Sequence, residues 1–259
     1  MKSLFVCFFL IVSFQTGSLS QCDELISKGI DALYNKEHSK SLELLTKAKT
    51  LSQKNGWQKQ EFISTNCIGL NFYQMLDYGE ALDYYFEAYK IALKASDSNQ
   101  EMTVLNNIAL VYMQERKFDE SEKNQKRAFD LAVEAKDSVK ITMYAGNLAS
   151  TYNETKKIAE ASKYITLAKS FGKADSRGGF LIAVVEAENL LAKGKYDAAQ
   201  KVIDALMGKI QATEFNDLKV ASLIMLSKIE QHKNNLDPAL DIVKKARAEN
   251  LGYNNNEDI

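Results

Sequence analysis

The sequence predicts an all-α protein built from about six antiparallel helix pairs stacked as an α-solenoid. Three observations predict it: a single proline in 259 residues, small residues that recur about every 40 positions, and short polar stretches between apolar segments. One proline disfavours the many turns of a sheet protein and favours long helices. A repeat of this length is typical of stacked helix pairs, each of which buries its apolar face against its neighbours.

Columns of small residues define the repeat. The first column has spacings of 40, 40, 40, 38 and 40 residues and consists of Gly29, Gly69, Ala109, Ala149, Ala187 and Ser227. The second follows twelve residues later and consists of Ser41, Ala81, Ser121, Ala161, Ala199 and Ala239. A third, seven residues further on, consists of Ala48, Ala88, Ala128, Ala168, Leu206 and Ala246. Because small residues let two helices approach closely, these columns predict the contact within each pair.

Other recurring residues mark the turns and the links between units. The predicted turn column consists of His38, Tyr78, Phe118, Ile158, Tyr196 and Leu236. The recurring dipeptides Asp97-Ser98, Asp137-Ser138 and Asp175-Ser176 are suited to cap the first helix of the next unit. The 38-residue spacing falls in residues 170–179, which we interpret as a shortened, flexible junction. A phosphate-binding loop is the alternative, disfavoured because the stretch lacks the P-loop pattern.

The register of the columns gives the domain organisation. Residues 21–250 form the repeat domain, and residues 251–259 form a polar tail or linker. The units of the repeat domain are expected at about 22–57, 58–97, 98–137, 138–175, 176–215 and 216–250.

Residues 1–20 predict a secretory signal peptide. Lys2 precedes an apolar run from Leu4 to Phe14, and small residues lead to cleavage after Ser20. The run is too short for a permanent membrane span. We therefore expect an exported protein, periplasmic or exposed on the outer surface.

Two alternatives for the cysteines stay open. A lipoprotein signal would acylate Cys22, although Gln21 is bulky for the position before a lipidated cysteine. Export also permits a Cys22–Cys67 disulfide. Cys67 lies in a helical pattern that favours a buried free thiol instead.

Several segments resemble the tetratricopeptide repeat, in its longer variety of about 40 residues. They are Gly69 and Phe72 with Tyr78-Gly79-Glu80-Ala81, Asn107-Ile108-Ala109-Leu110-Val111-Tyr112 with Phe118-Asp119-Glu120-Ser121, and Gly194-Lys195-Tyr196-Asp197-Ala198-Ala199. The resemblance covers about residues 22–250, although the first aromatic of the family, a tryptophan, and the proline at the unit end are missing. It implies a right-handed superhelix whose concave face, lined by the first helices, binds a peptide or a helix of a partner.

The resemblance also implies which residues bind. In peptide-binding members, asparagines on the first helix hold the ligand backbone, since an amide both donates and accepts hydrogen bonds. The candidate groove residues here are Asn66, Tyr73, Asn106, Asn107, Gln114, Asn147 and Asn153. The alternative that these asparagines stabilise the helix stack stays open.

The predicted function is a non-catalytic scaffold that binds a protein or peptide outside the cytoplasm. The alternative is the sensory input domain of a bacterial signalling protein, of the histidine kinase or transcription regulator type, truncated before its membrane helix. With 33 basic and 34 acidic residues, the chain offers no basic face for nucleic acid. It has two histidines and none of the common catalytic or metal-binding motifs, so we expect no enzyme activity, cofactor or metal.

Overall fold

The computed structural model describes the backbone of residues 2–211, 213 and 215–255, and the side-chain burial of residues 18–211, 213 and 215–250. Over these residues the chain forms twelve helices and no strand, which confirms the predicted all-α class. The helices are α1 (Lys2–Tyr34), α2 (His38–Asn55), α3 (Gln58–Gln74), α4 (Tyr78–Ala95), α5 (Ser98–Gln114), α6 (Phe118–Glu134), α7 (Ser138–Glu154), α8 (Ile158–Phe171), α9 (Arg177–Ala192), α10 (Tyr196–Ile210), α11 (Asn216–His232) and α12 (Leu236–Asn255).

The turn inside each pair has one repeated geometry. Every second helix begins at the residue of the predicted turn column, from His38 in α2 to Leu236 in α12. Two positions earlier the backbone is left-handed, with φ from 57° to 70° at Lys36, Leu76, Arg116, Lys156, Gly194 and Asn234. The next amide bonds back five residues, as Asp77 N–H does to the Phe72 carbonyl at 2.9 Å. This is a Schellman turn, which ends a helix and reverses the chain.

The small-residue columns are buried in all six pairs. Every member of the three predicted columns lies in the interior, and Ala81, Ala109 and Ala161 have no exposed surface. Where serine stands in a column, its hydroxyl bonds to the backbone of the facing helix. Ser121 Oγ donates to the Ala109 carbonyl at 2.8 Å, and Ser227 Oγ donates to the Ala239 carbonyl at 2.9 Å. The columns therefore are the contact between the paired helices, as predicted.

The three links that carry an Asp-Ser dipeptide supply side-chain N-caps for the helices that follow. Asp97 accepts hydrogen bonds from the first amides of α5, and Asp137 does the same for α7. At α9 the cap is Ser176, whose hydroxyl accepts from Gly179 N–H, while Asp175 pairs with Lys209 instead. Each cap satisfies backbone donors that a helix start leaves open.

The chain divides into two compact units, Met1–Asn124 and Gln125–Ile259. In the first unit, α3, α4 and α5 enclose a core centred on Tyr85, which is 1% exposed. In the second unit, α9, α10 and α11 enclose a core that includes Ile203 and Ile210, both fully buried. Each unit is thus stabilised by consecutive helix pairs packed on one another.

At both ends of the chain, helix extends beyond the boundaries expected from the sequence. α12 continues to Asn255, so helix extends into the stretch expected to be a polar tail, whose residues 256–259 lie outside the described chain. At the other end, α1 runs through the expected cleavage point after Ser20. No helix in the described part of the chain is both long and apolar enough to span a membrane.

Cys22 and Cys67, the cysteines whose side chains the structure describes, are both free thiols. Cys22 is fully buried beside Ile26 and Ala48, and its Sγ donates to the Ala48 carbonyl at 3.4 Å. A lipid on Cys22 would therefore require this thiol to leave the packed first pair. Burial raises the pKa of the Cys67 thiol to about 11, so it stays protonated at neutral pH.

The junction of the fourth and fifth pairs is shortened in α8, whereas its loop, residues 172–176, is longer than the links that follow α2 and α4. α8 has 14 residues, whereas α2 and α4 each have 18. The chain leaves α8 at Gly172 and starts α9 at Arg177. The flexibility of this loop stays a prediction.

Candidate functional site

In the first unit, two of the predicted groove asparagines contact each other. Asn107 Nδ2 on α5 donates to Asn66 Oδ1 on α3 at 2.9 Å, and both side chains are partly exposed. The two residues stand at nearly the same position of successive first helices. Since each amide has further donors or acceptors, this pair can still bond to a polypeptide backbone.

A second pair repeats the arrangement seven residues further along both helices. Gln114 Nε2 on α5 donates to Tyr73 Oη on α3 at 3.4 Å. Burial raises the pKa of the Tyr73 phenol, an effect that the bond from Gln114 opposes and the nearby Tyr78 reinforces. The phenol therefore stays protonated at neutral pH, and its O–H can donate to another acceptor.

Two leucines lie between these polar pairs. Leu70 is one helical turn from Asn66 and from Tyr73, and Leu110 has the same relation to Asn107 and Gln114; both leucines are partly exposed. We call the six residues the α3–α5 ladder: Asn66, Leu70, Tyr73, Asn107, Leu110 and Gln114. Sequence reasoning missed the leucines, which directly follow the small residues Gly69 and Ala109. Inspection of the residue that follows each small residue would have identified them.

The remaining groove candidate in this unit points elsewhere. Asn106 is only 6% exposed, whereas its neighbour Asn107 is partly open to solvent. Consecutive helical residues differ by about 100° in direction, so only one of the two can face outward. A partner reaches Asn107 more easily than Asn106.

In the second unit, Asn153 is engaged in a helix-to-helix network. Its Nδ2 donates to the Val185 carbonyl at 3.1 Å, and its Oδ1 accepts from Asn189 Nδ2 at 2.9 Å. Asn189 is buried and also donates to the Ile158 carbonyl at 3.1 Å. Asn153 thus joins α7 to α9. Asn147, on α7, is partly exposed.

A buried amide that the sequence did not single out links pairs in the first unit. Asn71 Nδ2 donates to Ser41 Oγ at 2.9 Å, and its Oδ1 lies 3.2 Å from His38 Nδ1. Asn71 and Asn189 occupy the same position of their repeats, two residues after the small residue. The polar residues found two positions after the small residue could have indicated these buried amides from the sequence.

The electrostatics of the two units differ at the residue that follows the small position. It is apolar in the first unit (Ile30, Leu70 and Leu110) and polar or charged in the second (Ser150, Glu188 and Lys228). Burial raises the pKa of the Glu188 carboxyl; Lys228 and the Asn153 hydrogen bond oppose this, and Glu154 adds to it. Over the described residues, no group of three or more His, Cys, Asp and Glu side chains could hold a metal ion. His232 stacks on Tyr196, with ring centroids 5.5 Å apart.

Comparison with known protein families confirms the predicted resemblance. Residues 100–168 match the model of the tetratricopeptide repeat. The matched range runs from α5 into α8. No curated protein sequence matches the chain.

Solved structures share the fold over most of the chain. Aspartyl phosphate phosphatase F from Bacillus subtilis is 14% identical with a TM-score of 0.77, over 89% of this chain and 60% of its own. The apo form of RapI is 14% identical with a TM-score of 0.73, over 89% of this chain and 84% of its own. The Rap conjugation gene regulator of the plasmid pLS20, solved in complex with the Phr peptide, is 16% identical with a TM-score of 0.72, over 90% of this chain and 63% of its own.

Proposed function

We propose that this tetratricopeptide-like repeat protein is a scaffold that binds a peptide segment of another protein along the α3–α5 ladder. The observation that carries the proposal is the pair of polar contacts, Asn66 with Asn107 and Tyr73 with Gln114, on either side of two partly exposed leucines. Exposed amides of this kind suit a peptide group, which also donates and accepts. The similarity in fold to a peptide-bound regulator is consistent with this role.

The ladder also suggests how the segment lies. Seven helical residues separate the two polar pairs, a rise of roughly 10 Å. An extended chain covers that distance in about three residues. A segment that lies along the α3–α5 ladder would therefore bond to the two polar pairs through residues about three apart in its own sequence. An apolar side chain between those residues would rest on the two leucines.

The absence of charge on the α3–α5 ladder restricts which peptide segments can bind there. None of its six side chains carries a charge at neutral pH, since the Tyr73 phenol is protonated. Burying an unpaired charge against such a surface costs several kcal/mol, of the order seen for unpaired buried ions. We therefore propose an uncharged segment with a central apolar residue.

Display of a random peptide library on wild-type protein tests this proposal. We expect enriched peptides with an uncharged core and an apolar anchor. The variants Asn107→Ala and Gln114→Ala should each weaken binding of those peptides about tenfold, since a bond lost in a desolvated site costs on the order of 1–2 kcal/mol. Titration calorimetry gives the affinities.

The matched control is Asn124→Ala on α6, the second helix of its pair, where the amide bonds to its own helix at the Glu120 carbonyl. This variant should bind the peptides as wild type does. Enriched peptides that bind the Asn66→Ala/Asn107→Ala/Gln114→Ala triple variant with wild-type affinity would show that the ladder is not the site.

We also propose that the scaffold works outside the cytoplasm. The support is the signal pattern of residues 1–20, with Lys2 before an apolar run and small residues at Ser18 and Ser20. Mass spectrometry of the protein from its native envelope should give an N-terminus at Gln21. An acylated Cys22 would identify a lipoprotein, and an intact Met1 would refute export.

A second candidate function is sensory input to a signalling partner, favoured by the fold shared with a peptide-bound gene regulator. Hydrogen exchange with and without an enriched peptide separates the two functions. Protection confined to α3 and α5 supports a scaffold, whereas protection that extends into residues 125–255 supports a sensor.

A further inference from the structure

The short fourth pair lacks the last turn of its second helix. In the earlier pairs, that turn continues through Ser52, Ala92 and Ala132, all with no exposed surface. The corresponding residue in the fourth pair is Gly172, which has extended backbone (φ −83°, ψ 150°) and ends the helix. A Cβ on Gly172 would lie 2.7 Å from Thr142 Cγ2. The chain therefore turns away here, and the space of the missing turn is left beside α9 and α10.

A cavity of about 350 Å³ lies at this place in the second unit. Its wall is mostly apolar and includes Ala168 of α8, Ile182 and Ala183 of α9, and Val202 and Leu206 of α10. This volume is within the range of small-molecule sites, roughly 300–1,000 Å³.

The loop after α8 forms one side of the cavity and fits tightly over the start of α9. A Cβ on Gly179 would lie 2.3 Å from the Lys173 carbonyl oxygen, so only glycine permits this approach. The backbone that closes the cavity is thus fixed by packing against the first turn of α9.

Charged side chains stand at the mouth. Lys169 Nζ bonds to both Glu186 carboxylate oxygens at 2.9 Å, and Lys209 Nζ bonds to Asp175 Oδ1 at 2.6 Å. Asp175 is 78% exposed, so its pair with Lys209 is worth little and can be exchanged. Among the residues that line the cavity, two lysines stand against one carboxylate, Glu186. Each lysine at the mouth already pairs with a carboxylate, and Lys209, whose partner Asp175 is largely exposed, is the cation best placed to exchange that partner for the carboxylate of a ligand.

We propose that this cavity binds a small amphipathic carboxylate, with its apolar body against Ile182, Val202 and Leu206 and its carboxylate on Lys209. The site belongs to the second unit and does not use the α3–α5 ladder. Its ligand and the proposed peptide can therefore be tested separately.

Calorimetric titration of the full chain with decanoate, and with 1-decanol as its uncharged counterpart, tests the proposal. Decanoate should bind saturably with one site, at least fivefold more tightly than 1-decanol. Lys209→Gln should weaken decanoate binding about fivefold and leave 1-decanol unchanged, because it removes only the cation. Lys201→Gln, on the same helix but away from the cavity, is the matched control.

A second variant tests the place of the apolar body. Ala205 lines the cavity and is exposed, so Ala205→Trp can cover the mouth without disturbing the core. It should weaken decanoate binding at least tenfold, whereas Asp204→Trp, also exposed on α10 but outside the cavity lining, should not. Circular dichroism melting confirms that both variants fold.

Three outcomes overturn the proposal. They are the absence of saturable decanoate binding, equal affinities for decanoate and 1-decanol, and wild-type affinity in the Ala205→Trp variant. Peptides selected on the ladder should bind the Ala205→Trp variant normally.

Discussion

Ser41 Oγ donates a hydrogen bond of 2.7 Å to the carbonyl oxygen of Gly29, across the two small-residue columns of the first helix pair. The same hydroxyl accepts a bond from Asn71 Nδ2 of the second pair at 2.9 Å. One buried serine thus joins three helices, α1, α2 and α3. The small size of the residue and its polarity both matter, because the hydroxyl must fit between helices and bond in two directions.

Ser41→Ala should therefore destabilise the protein by about 1–2 kcal/mol, since two buried hydrogen bonds are lost. Ser121→Ala is the matched comparison, because Ser121 bonds to the Ala109 carbonyl at its position in the third pair. It should cost about 1 kcal/mol. Urea denaturation gives both values, and an equal loss in the two variants would mean that the Asn71 bond adds nothing.

Gly69 is a position where alanine should not fit. A Cβ there would lie 2.8 Å from the Tyr85 ring and 3.3 Å from the Ala81 carbonyl oxygen, and Tyr85 is buried. Gly69→Ala should cost about 1–3 kcal/mol by overpacking, although the same column accepts Ala109. Adding Tyr85→Leu should make the Gly69→Ala change less costly in a double-mutant cycle. If the two substitutions change the free energy of unfolding additively, the Tyr85 ring is not the source of the strain.

Leu76 combines a left-handed backbone, at φ 63°, with a side chain that is 70% exposed. Leu76→Gly should raise the free energy of unfolding by about 0.5–1 kcal/mol, because glycine adopts this conformation without strain and no packed side chain is lost. Gly194→Ala at the matching turn, with φ 70°, should lower it by a similar amount. The urea midpoints of the two variants should move in opposite directions.

The raised pKa of Glu188 predicts a pH-dependent effect of Glu188→Gln. The folded state holds the proton more tightly than the unfolded state, so its contribution to stability is present below the ordinary glutamate pKa and is lost as pH rises through the folded pKa. Glutamine cannot lose a proton. The variant should match wild type near pH 4 and be more stable than wild type at pH 7, as measured by thermal melting.

Glu249→Gln, at an exposed position of α12, controls for replacement of a helical carboxylate by an amide. A Glu188→Gln effect that does not change between pH 4 and pH 7 would contradict the prediction.

The fold could be read from the sequence because close helix packing tolerates few residue types. Gly29, Ala109 and Ala149 stand in register since a larger side chain at any of them would separate two backbones. The turn column, such as Tyr78 and Phe118, marks the first residue of each second helix for a similar steric reason. These steric requirements repeat at every helix pair, so they produce a periodic pattern in the sequence.

The candidate site could be predicted from the sequence less completely than the fold. Asn106 and Asn107 are identical in type and adjacent, yet one is buried and the other partly exposed, a distinction that depends on the rotation of α5. Asn153 and Asn189 bond across helices, which spacing alone does not reveal. The cavity depends on where α8 ends, and the 38-residue spacing locates a deletion without showing the space that it leaves.

The twelve-residue separation of the paired small columns has a consequence for how the chain folds. The hydroxyl bonds of Ser41, Ser121 and Ser227 each join residues only twelve apart, and closing so short a loop costs little chain entropy. Contacts this local in sequence form quickly. Each helix pair can therefore nucleate during synthesis before the next pair is made, and gain or loss of a whole 40-residue block would leave every remaining loop of this kind intact.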